Sequence, residues 1–141
     1  KIEPTCWSGR AWFTHSLDDA GALELMPAGL RSLPFAAKSA RLASAFIARK
    51  HPTPIANIEQ QLRSGFQEIR QTLAGRDHVF DGFTYGDIIC ATTLQFISPL
   101  DDAYVPLGAA VRQCWHHPAL CAEFQDLLAW RDRLYRSYRP A

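Results

Sequence analysis

Charge of either sign is almost absent as a net quantity: 15 Lys and Arg stand against 14 Asp and Glu, leaving +1 over 141 residues. The two signs are interspersed, so overall charge points neither to nucleic acid nor to a membrane surface. No apolar run approaches the roughly 18 residues of a membrane-spanning helix, and no secretory signal stands at the start. The four cysteines, Cys6, Cys90, Cys114 and Cys121, form no Cys-x-x-Cys pair and no zinc spacing. Sparse, unpaired thiols fit a reducing, cytoplasmic location. Gly-x-Ser-x-Gly, Gly-x-Gly-x-x-Gly, a phosphate loop and His-Glu-x-x-His are all missing, which removes the reactions those motifs support. Strand-like alternation, repeats and low-complexity tracts are missing as well.

What remains is patterned for helices. Hydrophobic residues make up 48% and charged residues 21%, which excludes a disordered chain. The length suits a single domain over 1–141 with a real core, residues 1–10 being expected as a linker or tail. Beginning at Lys1 rather than Met, the chain reads as a fragment or a processed product.

A first helix is expected from about Ala11 to Leu30, with Phe13, Leu17, Ala20 and Leu23 on one side and Gly21, Pro27 and Gly29 weakening its end. Leu33-Pro34 marks a break. From Phe35 to about Lys50 the residues Phe35, Leu42, Ala43, Phe46 and Ile47 share a face, which is expected to be buried. His51-Pro52-Thr53-Pro54 is a loop. Ile55, Ile58, Leu62, Phe66, Ile69 and Leu73 follow at spacings of three and four, the cleanest amphipathic pattern in the chain, and Gly75 ends it. A short helix is expected from Gly108 to Trp115. The last helix starts near Pro118, suited to a first helical turn, with Leu120, Phe124, Leu127, Leu128, Leu134 and Tyr135 as its inner stripe.

The most informative segment is His78 to Ile89. Asp81-Gly82 is a turn pair. Thr84 and Asp87 have the spacing of a capping box, each side chain able to bond the other's backbone N–H. Phe83 and Ile88 are placed to form a hydrophobic staple across the helix start. Tyr85 to Ile97 then runs almost without charge, up to Ser98-Pro99. A helix apolar nearly all round is expected at the centre of a helical domain.

This segment, Phe80-Asp81-Gly82-Phe83-Thr84-Tyr85-Gly86-Asp87-Ile88, resembles the start of the buried central helix in the C-terminal domain of glutathione S-transferases. Gly86 departs from the family pattern, which usually has Ala there. The amphipathic helix ending at Leu73-Ala74-Gly75, the His117-Pro118-Ala119-Leu120 opening and Leu128-Ala129-Trp130-Arg131-Asp132-Arg133 extend the likeness over roughly residues 55–140, and more loosely over 11–50. It implies an all-α fold, the helical bundle of that C-terminal domain. In the family a thioredoxin-like N-terminal domain binds glutathione and activates its thiol, whose thiolate is the nucleophile. That half is absent from this chain. The resemblance therefore implies no catalytic residue and no cofactor here, glutathione being a co-substrate only alongside an N-terminal domain. It further implies a scaffold, part of a pocket for a small hydrophobic electrophile, and a homodimer surface. A non-catalytic protein-interaction module of the same fold is the alternative, and an unrelated helical ligand-binding bundle a third.

Individual candidates have plain structural readings beside the chemical ones. Asp87 is explained by capping. Asp18-Asp19 and Asp101-Asp102 are adjacent pairs, which diverge by about 100° on a helix and make poor acid–base dyads. Cys114, His117 and Cys121 could be drawn as metal ligands, but Pro118 interrupts them and no fourth ligand lies near, so no metal is expected. Arg131, Arg133, Arg136 and Arg139, interleaved with Trp130, Tyr135 and Tyr138, could grip RNA; basic residues also belong at a helix C-terminus, and nucleic acid is not expected. At the N-terminal end Trp7, Arg10, Trp12, Phe13 and His15 crowd together. The resemblance places Arg10, Trp12 and His15 at a substrate cleft or dimer interface; the alternative is core packing.

Overall fold

The computed structural model describes residues 3–50 and 57–139, and Ile55 of the amphipathic stripe lies outside them. The expected all-α class holds: the regular elements among the described residues are helices, and the only strand-type pairing there is an isolated bridge between Phe80 and Gly82. The order is α1 Glu3–Ser16, α2 Asp19–Glu24, α3 Ala28–Arg31, α4 Ala36–Lys50, α5 Ile58–Leu73, α6 Tyr85–Thr93, α7 Ala109–Trp115, α8 Pro118–Glu123 and α9 Gln125–Tyr138.

The core is organised around α5. Ile58, Leu62, Phe66, Ile69 and Leu73 are all buried, as their spacing requires. Against them pack Val79, Ala91, Leu94 and Ile97 from the α6 region, and Leu120, Phe124, Leu127, Trp130 and Leu134 from α8 and α9. Phe66 and Phe124 meet edge to face at 5.3 Å, a favoured aromatic arrangement. The last helix is two helices, because Phe124 leaves helical angles (φ −116°, ψ 32°) between α8 and α9.

The first twenty-odd residues depart most from expectation. Residues 3–10, expected in a tail, are the first half of α1, and the expected helix from Ala11 to Leu30 is three pieces. The inner face of α1 is made of Thr5, Ser8 and Gly9, all buried, so it carries no apolar stripe for periodicity to detect. Small residues replace large ones because α1 crosses α5 and the α6 extension closely. A Cβ on Gly65 would lie 1.9 Å from Thr5 Oγ1, and one on Gly9 would lie 2.2 Å from the Phe96 ring. Ser8 also donates to the Gln61 side chain. Asp18 then ends the first helix by starting another: extended itself, it accepts the Gly21 N–H at 2.7 Å as the cap of α2.

The second correction concerns α4. Its expected inner stripe faces outward: Phe35, Leu42 and Phe46 are 79%, 65% and 61% exposed, Ala43 is exposed too, and the side chain of Ile47 lies outside the described residues. The buried positions are Ala36 and Ala40, while α2 buries Gly21 and Ala22. Small residues allow the two helices to approach closely, and that choice overrides side-chain hydrophobicity. Phe35, at the entrance to α4, has φ 67°, left-handed backbone that bulky residues rarely adopt.

The third concerns α6. It was expected to be surrounded on all sides and is buried on one side only. Asp87, Ala91 and Thr93 point inward, and a 3-10 turn, Leu94–Phe96, carries the chain to buried Ile97. Tyr85, Ile88 and Thr92 are exposed.

Candidate functional site

At the start of α6 Thr84 and Asp87 take the capping-box positions: the Asp87 carboxylate accepts the Thr84 N–H, while the Asp87 N–H goes to the Thr84 carbonyl at 3.1 Å. The carboxylate does more than cap. Fully buried at 0% exposure, Asp87 accepts the Thr84 N–H and Oγ1–H on Oδ2 at 2.8 and 3.0 Å, and the Val79 N–H on Oδ1 at 2.8 Å. Burial alone would push this carboxyl up; the hydrogen bonds from Val79 and Thr84, with His78 nearby, outweigh it and hold the group below its ordinary value. The loop from Arg76 to Thr84 is tied at its other points as well. Arg76 donates to the carbonyls of Thr72 and Val79, and Trp130 Nε1 donates to the Asp77 carbonyl at 2.8 Å.

This anchored loop forms one lip of a groove beside α6. Phe83, Ile88 and Ala91 line it from the α6 side, and Leu134, Tyr135, Tyr138 and Arg139 from the end of α9, enclosing about 330 Å³. Phe83 and Ile88, expected as a staple, thus share an open wall. Phe83 stacks flat on Tyr138, with centroids 3.9 Å apart and planes 6° from parallel. The Tyr138 hydroxyl lies 3.3 Å from His78 Nε2, and His78 Nδ1 lies 3.7 Å from Asp87 Oδ1, which is beyond hydrogen-bonding reach. Behind Tyr138 a polar hollow of about 290 Å³ is lined by Asp77, His78, Trp130, Arg133, Leu134, Ser137 and Tyr138. The groove is closed on one side by the Phe83–Tyr138 stack and can hold an apolar molecule against Ile88, Ala91 and Leu134, with the Tyr138 phenol and the Arg139 guanidinium at its rim.

The cluster expected at the N-terminal end disperses. Arg10 lies over the Trp7 ring at 5.2 Å. Trp12 turns inward against His117, with ring centroids 4.4 Å apart and planes tilted by 37°, and packs on the core. His15 is exposed. None of the three lines the groove or the hollow.

The other candidates also separate. Cys114 Sγ faces Asp18 at 3.6 Å, Cys121 Sγ faces the Ile97 carbonyl at 3.0 Å, and His117 Nδ1 accepts the Leu120 N–H at 3.4 Å as the cap of α8. No group of three or more potential metal ligands forms among the described residues. Burial pushes the thiols of Cys114 and Cys121 up and that of Cys90 to about 11, so none is a ready thiolate nucleophile. Asp19 pairs with Arg41 at 2.5 Å, Asp102 pairs with Arg112, and Asp101 accepts the Ala103 N–H at 2.9 Å. Among the described residues no helix is long and apolar enough to cross a membrane.

Sequence reasoning did not single out Ala91 or the pairing of Tyr138 with Phe83. The spacing of Leu134 and Tyr138 on one face of α9 was an available signal, but which helix face that one meets is a tertiary fact. No protein-family model matches this chain, and neither the curated proteins nor the solved structures yield a match.

Proposed function

We propose that this chain is a helical domain of the glutathione S-transferase C-terminal type, contributing scaffold and one wall of a pocket for small hydrophobic molecules. The observation that carries the reading is the half-open apolar groove set directly against the capping-box helix. Its walls are aromatic and aliphatic, and a few polar groups at the rim can orient a ligand. Thiol activation belongs to the thioredoxin-like partner domain in this reading, so glutathione is a co-substrate of the assembled protein only. The test uses an apolar fluorescent dye. Saturable one-site binding is expected, weakened about tenfold in Ile88→Arg, the cost of placing a charge in an apolar site. Ile88 is already partly exposed, so the melting temperature should hold. Dye affinity unchanged by Ile88→Arg rejects the pocket, and calorimetry showing tight one-to-one glutathione binding to this chain alone rejects the division of labour.

A second reading, a non-catalytic interaction module of the same fold, is favoured by the outward stripe of Phe35, Leu42 and Phe46. Large apolar groups collected on one exposed face mark partner surfaces. The glutathione S-transferase reading gives that face to a second subunit or to the N-terminal domain. Sedimentation separates the two: self-association abolished by Leu42→Lys supports the dimer, and a monomer at all concentrations favours the module.

A further inference from the structure

A separate cleft of about 500 Å³ opens where the segment following α6 meets α7 and α9. Three arginines line it: Arg112 from α7, and Arg131 and Arg136 from α9. Arg131 is unusual, because a charged side chain is almost never buried unless paired, and this one is only 4% exposed. Its Nη1 donates to the Ser98 carbonyl, and Nε and Nη2 lie 2.9 and 2.8 Å from Asp132 Oδ1. Arg112 is held in the same way, donating to the carbonyls of Leu100 at 2.8 Å and Val105 at 3.4 Å and to Asp102. Carbonyls only two positions apart in one segment thus fix two guanidinium groups at one cleft.

A guanidinium carries five N–H donors. The contacts just given use three on Arg112 and three on Arg131, leaving two uncommitted on each. Two carboxylates line the cleft: Asp132 is paired with Arg131, while Asp101 accepts the Ala103 N–H and keeps its charge; Asp102, next to it, is paired with Arg112. The Arg136 side chain, at the exposed end of α9, makes no hydrogen bond or ion pair with any described residue. A structural tie between the segment and α9 accounts for Arg131, and Arg136 is an exposed basic residue in the last turn of α9, but neither accounts for the open cleft that the three arginines share.

We propose that this cleft binds the oxyanion group of a small molecule, a carboxylate or a phosphate. Arg136 supplies the free positive charge, and the fixed Arg112 and Arg131 supply further donors. Planar guanidinium groups suit such oxygens, and two that are already held in place lose little freedom on binding. Tyr104, half-buried at the same cleft and edge to face with Tyr135 at 5.4 Å, lines it beside them.

The test titrates the whole chain with succinate and with inorganic phosphate at low ionic strength, by calorimetry and by side-chain Nε–H resonances of arginine. Saturable one-to-one binding in roughly the millimolar range or tighter is expected for at least one probe, weakening as salt is added. The probe that binds tells carboxylate from phosphate. Arg136→Gln should weaken binding about tenfold through loss of a charged partner, with an unchanged melting temperature because the residue is exposed. Arg136→Lys should restore part of it. Arg133→Gln, on the same helix but lining the hollow by His78, should have no effect. Failure of both probes to saturate, or equal weakening by Arg133→Gln and Arg136→Gln, overturns the proposal.

Discussion

Asp87→Asn is the sharpest probe of how this fold is fastened. The carboxylate ties two points of the loop before α6 to that helix, through the Val79 N–H, the Thr84 N–H and the Thr84 hydroxyl. Asparagine has nearly the same shape, keeps one acceptor oxygen and replaces the other with an NH₂ donor. If the oxygen stays on Val79, the amide faces the Thr84 N–H, and that buried donor loses its partner; the hydroxyl can rotate to accept. A hydrogen bond to a charged group is worth about 1.5–3 kcal/mol, so the net cost should be about 2–3 kcal/mol. That is a large share of the roughly 5–15 kcal/mol stability of a typical domain and corresponds to a melting temperature lower by roughly 6–15 °C. Thr84→Ala leaves both backbone donors on the carboxylate and should cost only about 1 kcal/mol. Urea melts of the three proteins at neutral pH give the ordering. The pH dependence supplies a second check. The folded carboxyl titrates below its ordinary value of 3.8, so its stabilisation is complete above that value and is lost as pH falls through the folded value. The gap between wild type and Asp87→Asn should therefore close on acidification. A loss no greater than that of Thr84→Ala, or a gap independent of pH, would refute the reasoning.

Three further outcomes are expected. Gly65→Ala should destabilise by about 1–3 kcal/mol, since its Cβ would meet Thr5 at 1.9 Å, whereas Gly29→Ala, with nothing within 4 Å, should be neutral or stabilise by up to about 1 kcal/mol; thermal melts decide. Leu42→Lys should change stability by no more than about 0.5 kcal/mol and Leu62→Ala should cost about 2–5 kcal/mol, a contrast that disappears if α4 turns its apolar stripe inward. Burial holds His117 below its ordinary value of 6.5, only partly offset by Glu59, so the unfolded chain protonates there first and stability should fall as pH drops below that value. His117→Asn, which can still cap α8, should flatten that limb of a denaturant-midpoint series against pH.

The all-helical class was legible because periodicity of three and four in Ile58, Leu62, Phe66, Ile69 and Leu73 needs no partner to be recognised. Local chemistry was legible for the same reason: Thr84 and Asp87 lie three residues apart, and their bonds are made within one turn. The capping box, the break at Leu33-Pro34 and the helix start at Pro118 could all be read from neighbouring residues. Only the tertiary structure decided where close approach would outweigh hydrophobicity. Thr5, Ser8 and Gly65 bury a polar and small-residue crossing that no hydropathy pattern marks, and Ala36 and Ala40 take the inner face of α4 from Phe35, Leu42 and Phe46. Both candidate sites belong to this second kind. Phe83 meets Tyr138, and Arg112 shares a cleft with Arg131 and Arg136, across long stretches of sequence. A groove or a cleft is made of the faces that packing leaves open, and which faces those are depends on every other helix in the domain.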